Sequence, residues 1–202
     1  MSPKILTDQE RQLQKNRLIG EGKKLLFSYG IRKTSVADIT KAAGMAKGTF
    51  YQHFTSKEEL FLEIVTQLHV TWFQQAELYF SEPSSEPLGE RVRSFIRFCF
   101  HANEFISIFK YHNEIEELIM EMQASSNQGV IDLMDLEHAA YERLLKMFNI
   151  DTNKTKPGVV YNYFHAMYFG IANKSMMDPD CFDETFEAML NGLIVYIFGG
   201  IS

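Results

Sequence analysis

Apolar residues recur along this chain at three- and four-residue intervals, the spacing of one helix face, and no segment shows the strict alternation of a half-buried strand. From Asp8 to Tyr29, the residues Leu18, Ile19, Leu25, Leu26 and Tyr29 share a face, and Gly30 stops the run. Val36, Ile39, Ala42 and Ala43 mark a short helix that Ser35 and Asp38 open as a capping box. Gly44 closes it, because a residue without Cβ accepts the left-handed conformation of a tight exit. A second short helix is predicted over Lys47 to Phe54, with Phe50 and Phe54 on its buried side and Lys47, Thr49, Gln52 and His53 outward. Ser56 and Glu59 then cap a long helix from Lys57 to about Phe80, about 35 Å at 1.5 Å per residue.

The stretch 81–87, SEPSSEP, is the clearest break in the chain. Beyond it, helices are predicted over Leu88 to His101, with Arg91, Arg93 and Arg97 mostly outward, and over Asn103 to Met122, bent or broken near Tyr111 to Asn113. Further helices cover Gln128 to Phe148, Val159 to Lys174 and Asp183 to Phe198. The pattern predicts an all-α chain: a three-helix head over 9–56, a connecting helix over 57–80, and a larger helical body over 81–202. The last two helices are apolar on more than one face, so more than one face must be covered. A second copy of the chain, packed on 159–174 and 183–198 as a two-fold four-helix bundle, would supply that cover. Ala166 with Gly170, and Ala188 with Gly192, would let those helices approach closely.

Charge sharpens the head's role. The net charge of −6 is divided unevenly: residues 1–60 hold 11 Lys and Arg against 6 Asp and Glu, and the rest hold 9 against 20. The basic part attracts phosphates while the acidic body stays off a duplex. Two short helices joined by a tight turn, the second with a buried aromatic stripe and a basic outer face, suit a helix-turn-helix that enters a DNA major groove.

The run TSVADITKAAGMAKGTFYQHFTSKEEL, within about Asn16 to Gln67, resembles the DNA-binding domain of the TetR family of bacterial transcriptional regulators. The resemblance implies phosphate contacts from Thr49, Tyr51 and Lys57 and puts Lys47, Gly48 and His53 toward the groove; Thr34 and Ser35, at the first helix of the motif, are expected to help with the phosphates. Ala46 stands where family members often carry Ser or Thr, which leaves the recognition helix without a side-chain cap worth about 1 kcal/mol. The resemblance also implies a homodimer on palindromic DNA, joined through its last two helices, and a small molecule in the body that alters operator affinity.

Other chemistry finds little support. The six histidines form no HxxxH pair, no phosphate-binding or nucleophile motif occurs, and Cys99 and Cys181 offer neither metal spacing nor a disulfide framework. No enzyme activity, metal or cofactor is expected. No apolar run reaches the roughly 20 residues of a membrane span, and cytoplasmic residence is expected. The body is rich in rings, and Phe95, Phe98, Phe105, Phe109, Tyr141, Tyr163, Phe164 and Met167 are candidate walls of an effector pocket for an apolar or aromatic compound. His101, His112, His165 and Asn173 are its candidate polar anchors. Two rival readings are an architectural or protein-controlled DNA-binding factor without a small-molecule effector, and a helical enzyme using the aromatic cavity.

Overall fold

The computed structural model describes residues 7–101 and 110–199, and all regular structure among them is helical. Helix α1 (Asp8–Tyr29) starts on a reciprocal capping box in which Glu10 N donates to Thr7 Oγ1 at 3.2 Å and Thr7 N to the Glu10 carboxylate at 2.9 Å. Helix α2 (Val36–Ala42) repeats the device with Ser35 and Asp38. Helix α3 (Lys47–Phe50) is shorter than the expected Lys47 to Phe54, because the chain tightens after one turn into bonds from Gln52 N to Thr49 O and His53 N to Phe50 O. Phe54 N still bonds Phe50 O at 3.0 Å, which keeps both rings on the buried side. Ala46 makes no side-chain cap, as its residue type dictates.

Helix α4 (Lys57–Ser81) is shared between two cores. Its first half packs Leu60, Phe61 and Ile64 against Leu18, Leu26, Ile39, Phe50 and Phe54, each fully buried side chain contributing about 1.5–3 kcal/mol. Gly22 permits this approach of α1 to α4, since a Cβ there would lie 2.6 Å from Leu60 Cδ2. Tyr29, expected on this face, is exposed instead. The second half of α4 joins Phe73 and Ala76 to a core built by α5 (Leu88–His101), α7 (Gln128–Met147), α8 (Pro157–Ala172) and α9 (Phe182–Phe198). The intervening α6 (His112–Ala124) begins at the break expected near Tyr111 and adds Ile115 and Leu118 to the head core. A 3₁₀ turn, Lys174–Met176, follows α8, which ends two residues earlier than expected. Among the described residues no helix is long and apolar enough to cross a membrane.

The α5 arginines correct the expectation that they face outward. Arg91 and Arg93 are buried. The Arg91 guanidinium donates to Tyr79 O at 2.7 Å and Glu82 O at 3.1 Å, satisfying carbonyls at the end of α4 while lying over the Tyr79 and Phe80 rings. Arg93 binds Asn191 of α9, and Arg97 pairs with both oxygens of Glu187 at 2.7 and 2.6 Å.

The head and body meet at the turn after α1. Ile31 N and Arg32 N donate to Glu114 Oε2 of α6 at 2.7 and 2.9 Å, the Tyr111 hydroxyl donates to Ser28 O at 2.9 Å, and Arg32 pairs with Glu117. Gly30 has φ +80°, and a Cβ there would fall 2.6 Å from Tyr111 Cδ1 and 2.7 Å from Glu114 Oε2. Backbone conformation and space both exclude a side chain. Gly30→Ala is therefore expected to destabilise the protein by about 2 kcal/mol or more, read as a lowered midpoint in urea unfolding, whereas Gly20→Ala, where an added Cβ meets nothing within 4 Å, leaves the midpoint unchanged or raised.

Candidate nucleic-acid interface and body cavity

Five of the residues expected at DNA are open to solvent in whole or in part. Lys47 and Gly48 are exposed, Thr49 is half-buried, Tyr51 is 58% exposed, and Ser35 is exposed as the cap of α2. The buried Phe50 holds α3 in place, with the Tyr51 ring edge-on to it at 5.4 Å. An added Cβ at Gly48 meets nothing within 4 Å, so its lack of a side chain serves no packing inside the protein.

Three expected contacts are placed differently. Thr34 is only 2% exposed and its hydroxyl donates to Gly30 O at 2.7 Å, so its side chain closes the α1–α2 turn instead of reaching outward. Lys57 sends its ammonium inward, to Ile31 O at 2.9 Å and Thr34 O at 3.0 Å, and thereby satisfies two carbonyls of the same turn. His53 is half-buried with Nε2 3.2 Å from Gln14 Oε1 on α1. Burial first, then the charges of Lys15 and Arg11, hold its imidazole below the usual range, and it is neutral near pH 7. Spacing of the apolar positions did not reveal these roles, because Thr34 and Lys57 bond backbone carbonyls and the partner of His53 lies on another helix.

The body encloses a cavity of about 1120 Å³ between α1, α4, α5, α6, α7 and α8. Of the expected walls, Phe95, Phe98 and Tyr141 line it, and Phe98 stands 68% exposed. Phe164 and Met167 are instead buried in the body core, because their face of α8 meets α5, α7 and α9. Tyr163 turns away toward α9, where its hydroxyl would lie 3.2 Å from a Cβ on Gly192. Phe105, Phe109 and the side chain of His101 lie outside the described residues. Of the expected anchors, His112 and His165 line the cavity, whereas Asn173 bonds Phe169 O and Asn113.

Sequence reasoning missed the most polar part of the wall. Glu137 of α7, with only 6% of its surface exposed, pairs with His69 Nδ1 of α4, and Glu116 of α6 lies 3.8 Å from His112 Nε2. The signal was present: Glu137 interrupts the apolar stripe Val130, Leu133, Ala140, Tyr141, Leu144, where a charged residue has no place without a partner. Burial pushes His112 down to about 4, with a smaller effect from His165, and His165 is lowered by burial as well. Burial and then the Glu137 charge raise Glu116, while burial pushes the Cys99 thiol up to about 11 and the Tyr161 hydroxyl to about 12. Lys23 stands on the α1 wall with its ammonium 5.6 Å from the centre of the Phe27 ring.

Residues 18–64 match the family model described as bacterial regulatory proteins, tetR family. The HTH-type transcriptional regulator AcrR of Shigella flexneri is 30% identical over 200 residues, which cover 90% of this chain and 87% of that protein. The chain belongs to the TetR family. TtgR of Pseudomonas putida, another HTH-type transcriptional regulator, is 32% identical over 83 residues, 41% of this chain, and the match spans 40% of that regulator's length. A transcriptional regulator from Rhodococcus sp. Rha1 shares the fold with a TM-score of 0.60 at 16% identity, over 92% of this chain and 96% of that one. The family consists of HTH-type transcriptional regulators rather than enzymes.

In this TetR-family chain, Lys57 and Gly48 make opposite demands on stability. Lys57→Met, which strands two carbonyls, is expected to lower unfolding stability by about 1–3 kcal/mol. Gly48→Ala is expected to leave stability unchanged or raise it by up to about 1 kcal/mol. Thermal unfolding of both variants without DNA checks the pair.

Proposed function

We propose that this chain is a homodimeric, ligand-responsive repressor whose heads bind the two halves of a palindromic operator and let go when a small molecule fills the body cavity. In this reading 9–56 is the DNA-binding unit, 57–80 the connecting helix and 81–202 the effector and dimer unit. Lys47 and Gly48 face the groove, Thr49, Tyr51 and Ser35 contact phosphates, and His53, Thr34 and Lys57 position the head. The exposed apolar and small residues of the last two helices, Phe169 at 59%, Val195 at 49%, Ala166 and Ala188, support the second copy as their cover. Gly170, buried against Met177 in its own subunit, is not part of that face.

One observation carries the proposal. Helix α6 lines the cavity with His112, Ile115, Glu116 and Ile119, and grips the head with Tyr111, Glu114 and Glu117. Occupancy and head position thus share one element, which favours an effector-controlled regulator over an architectural factor.

Two measurements test this. With a half-site selected from a random duplex pool, Lys47→Ala is expected to change the selected bases, whereas Thr49→Ala weakens all duplexes by a similar factor. Equal loss on selected and random DNA for Lys47→Ala would remove it from base readout. A compound from a metabolite panel that quenches Trp72, the single tryptophan and a cavity wall, is expected to lower operator affinity by about 5- to 150-fold. Glu114→Gln is expected to keep the quenching and shrink that response, and an undiminished response would sink the coupling role of Glu114.

A further inference from the structure

The cavity's charge follows from the groups that line it. Its walls are aromatic and aliphatic, with the rings of Trp72, Phe95, Tyr141 and Tyr161 among them. Two carboxylates enter this apolar space, Glu137 from α7 and Glu116 from α6. Facing them are His69 from α4, His112 from α6, and His165, Tyr161 and Tyr168 from α8. Near pH 7 burial keeps His112 and His165 neutral, and Tyr141, Tyr161, Tyr168 and the Cys99 thiol remain protonated. Lys23 stands over Phe27 on α1, and the charges that act on Glu116 are those of Glu137 and His69. Among the described residues Lys23 is the one lysine or arginine on the wall, and neither Glu137 nor Glu116 pairs with a lysine or arginine. An anionic head meets repulsion from two carboxylates and from the faces of the rings. A cationic head relieves the repulsion between the carboxylates and is attracted by those same faces.

We propose that the cavity takes a lipophilic cation, an apolar or aromatic body bearing an amine-type head, with the head held by Glu137 and Glu116 and the body against Trp72, Phe95 and Tyr141. This rests on reading the cavity as the effector site. The volume of about 1120 Å³ suits a drug-sized molecule, and the two carboxylates on α6 and α7, near enough for the charge of one to act on the other, give the head one place in it. Binding at Glu116 also places the ligand's charge on the helix that holds the head through Glu114.

The test uses the full chain and three biphenyl compounds that differ only in carrying an aminomethyl, a hydroxymethyl or a carboxylate group, titrated against Trp72 fluorescence. The amine is expected to bind about tenfold or more tighter than the alcohol, and the carboxylate more weakly than both. Glu137→Gln and Glu116→Gln, compared because the first also removes the partner of His69, are each expected to cost the amine about tenfold and leave the alcohol within about twofold. Carboxylate binding equal to or tighter than amine binding, or an amine preference that survives in both variants, overturns the inference while leaving the cavity a ligand site. If none of the three compounds binds, the effector-site reading itself fails and the inference with it.

Discussion

Glu114 accepts the N–H groups of Ile31 and Arg32, and the turn can come that close because residue 30 has no Cβ. The same peptide unit is gripped from its other side, since Ile31 O accepts from Lys57 at the start of α4. Ile31 is thus held at N–H by the body and at C=O by the connecting helix. The turn leads directly into α2 and so fixes the direction of α2 and α3. A carboxylate on α6 therefore takes part in setting the angle at which the outer surface with Lys47, Gly48 and Tyr51 is presented. Hydrogen bonds to a charged group contribute about 1.5–3 kcal/mol where they are shielded, enough to bias a hinge without locking it.

The periodicity of α6 makes the joint sensitive to the cavity. Tyr111, Glu114 and Glu117 recur every three residues on one side, and His112, Ile115, Glu116 and Ile119 recur on the other. A rigid helix has no means of moving one face alone. Any shift that accommodates a molecule beside Glu116 displaces Glu114 by a comparable amount. The two faces also differ in kind, one made of hydrogen bonds that break at small displacements, the other of aliphatic contacts that tolerate them.

How much of this was legible in the sequence depended on range. The capping box at Ser35–Asp38, the Ser56 cap on Glu59 N, the glycine stop at Gly44 and the Phe50 and Phe54 pair are local, and the head's helices followed from them; the Glu59 carboxylate turns to Thr55, so the second box is only half formed. The uncapped start at Ala46 was equally readable. The inward bonds of Lys57 end on carbonyls 26 and 23 residues earlier, and that of Thr34 on a carbonyl of its own turn, and no side-chain pattern reveals a bond to the backbone. Arg91 failed for the same reason, its guanidinium ending on the last carbonyls of α4. The ring count predicted an aromatic cavity, but not which rings face it. Phe164 and Tyr141 are both on apolar helices, and only the packing of α8 against α5 and α9 sends one into the core while the other reaches the cavity.

The cavity raises a question of stability, since space left open in a body forgoes packing that a core of this size would otherwise gain. The body meets it by dividing labour along α7. Ala140, Leu144 and Leu145 join Leu190, Leu193 and Ile194 of α9 in a closed core, while Leu133, Met134 and Glu137 face the open space. Arg91 ties α5 to the end of α4, and Arg93 ties it to α9, so the frame around the core is held by polar links as well as by packing. Helix α6 has no comparable hold. Within it only His112, Ile115 and Leu118 are buried, its polar ties to the body are the exposed bonds of Asn113 to Asn173 and Gln123 to Met134, and the rest are to the head. The element with the least apolar anchorage is the one that opens or shifts at the lowest free energy. Strain introduced in the cavity is therefore relieved through α6, toward the head, before it disturbs the α5, α8 and α9 frame.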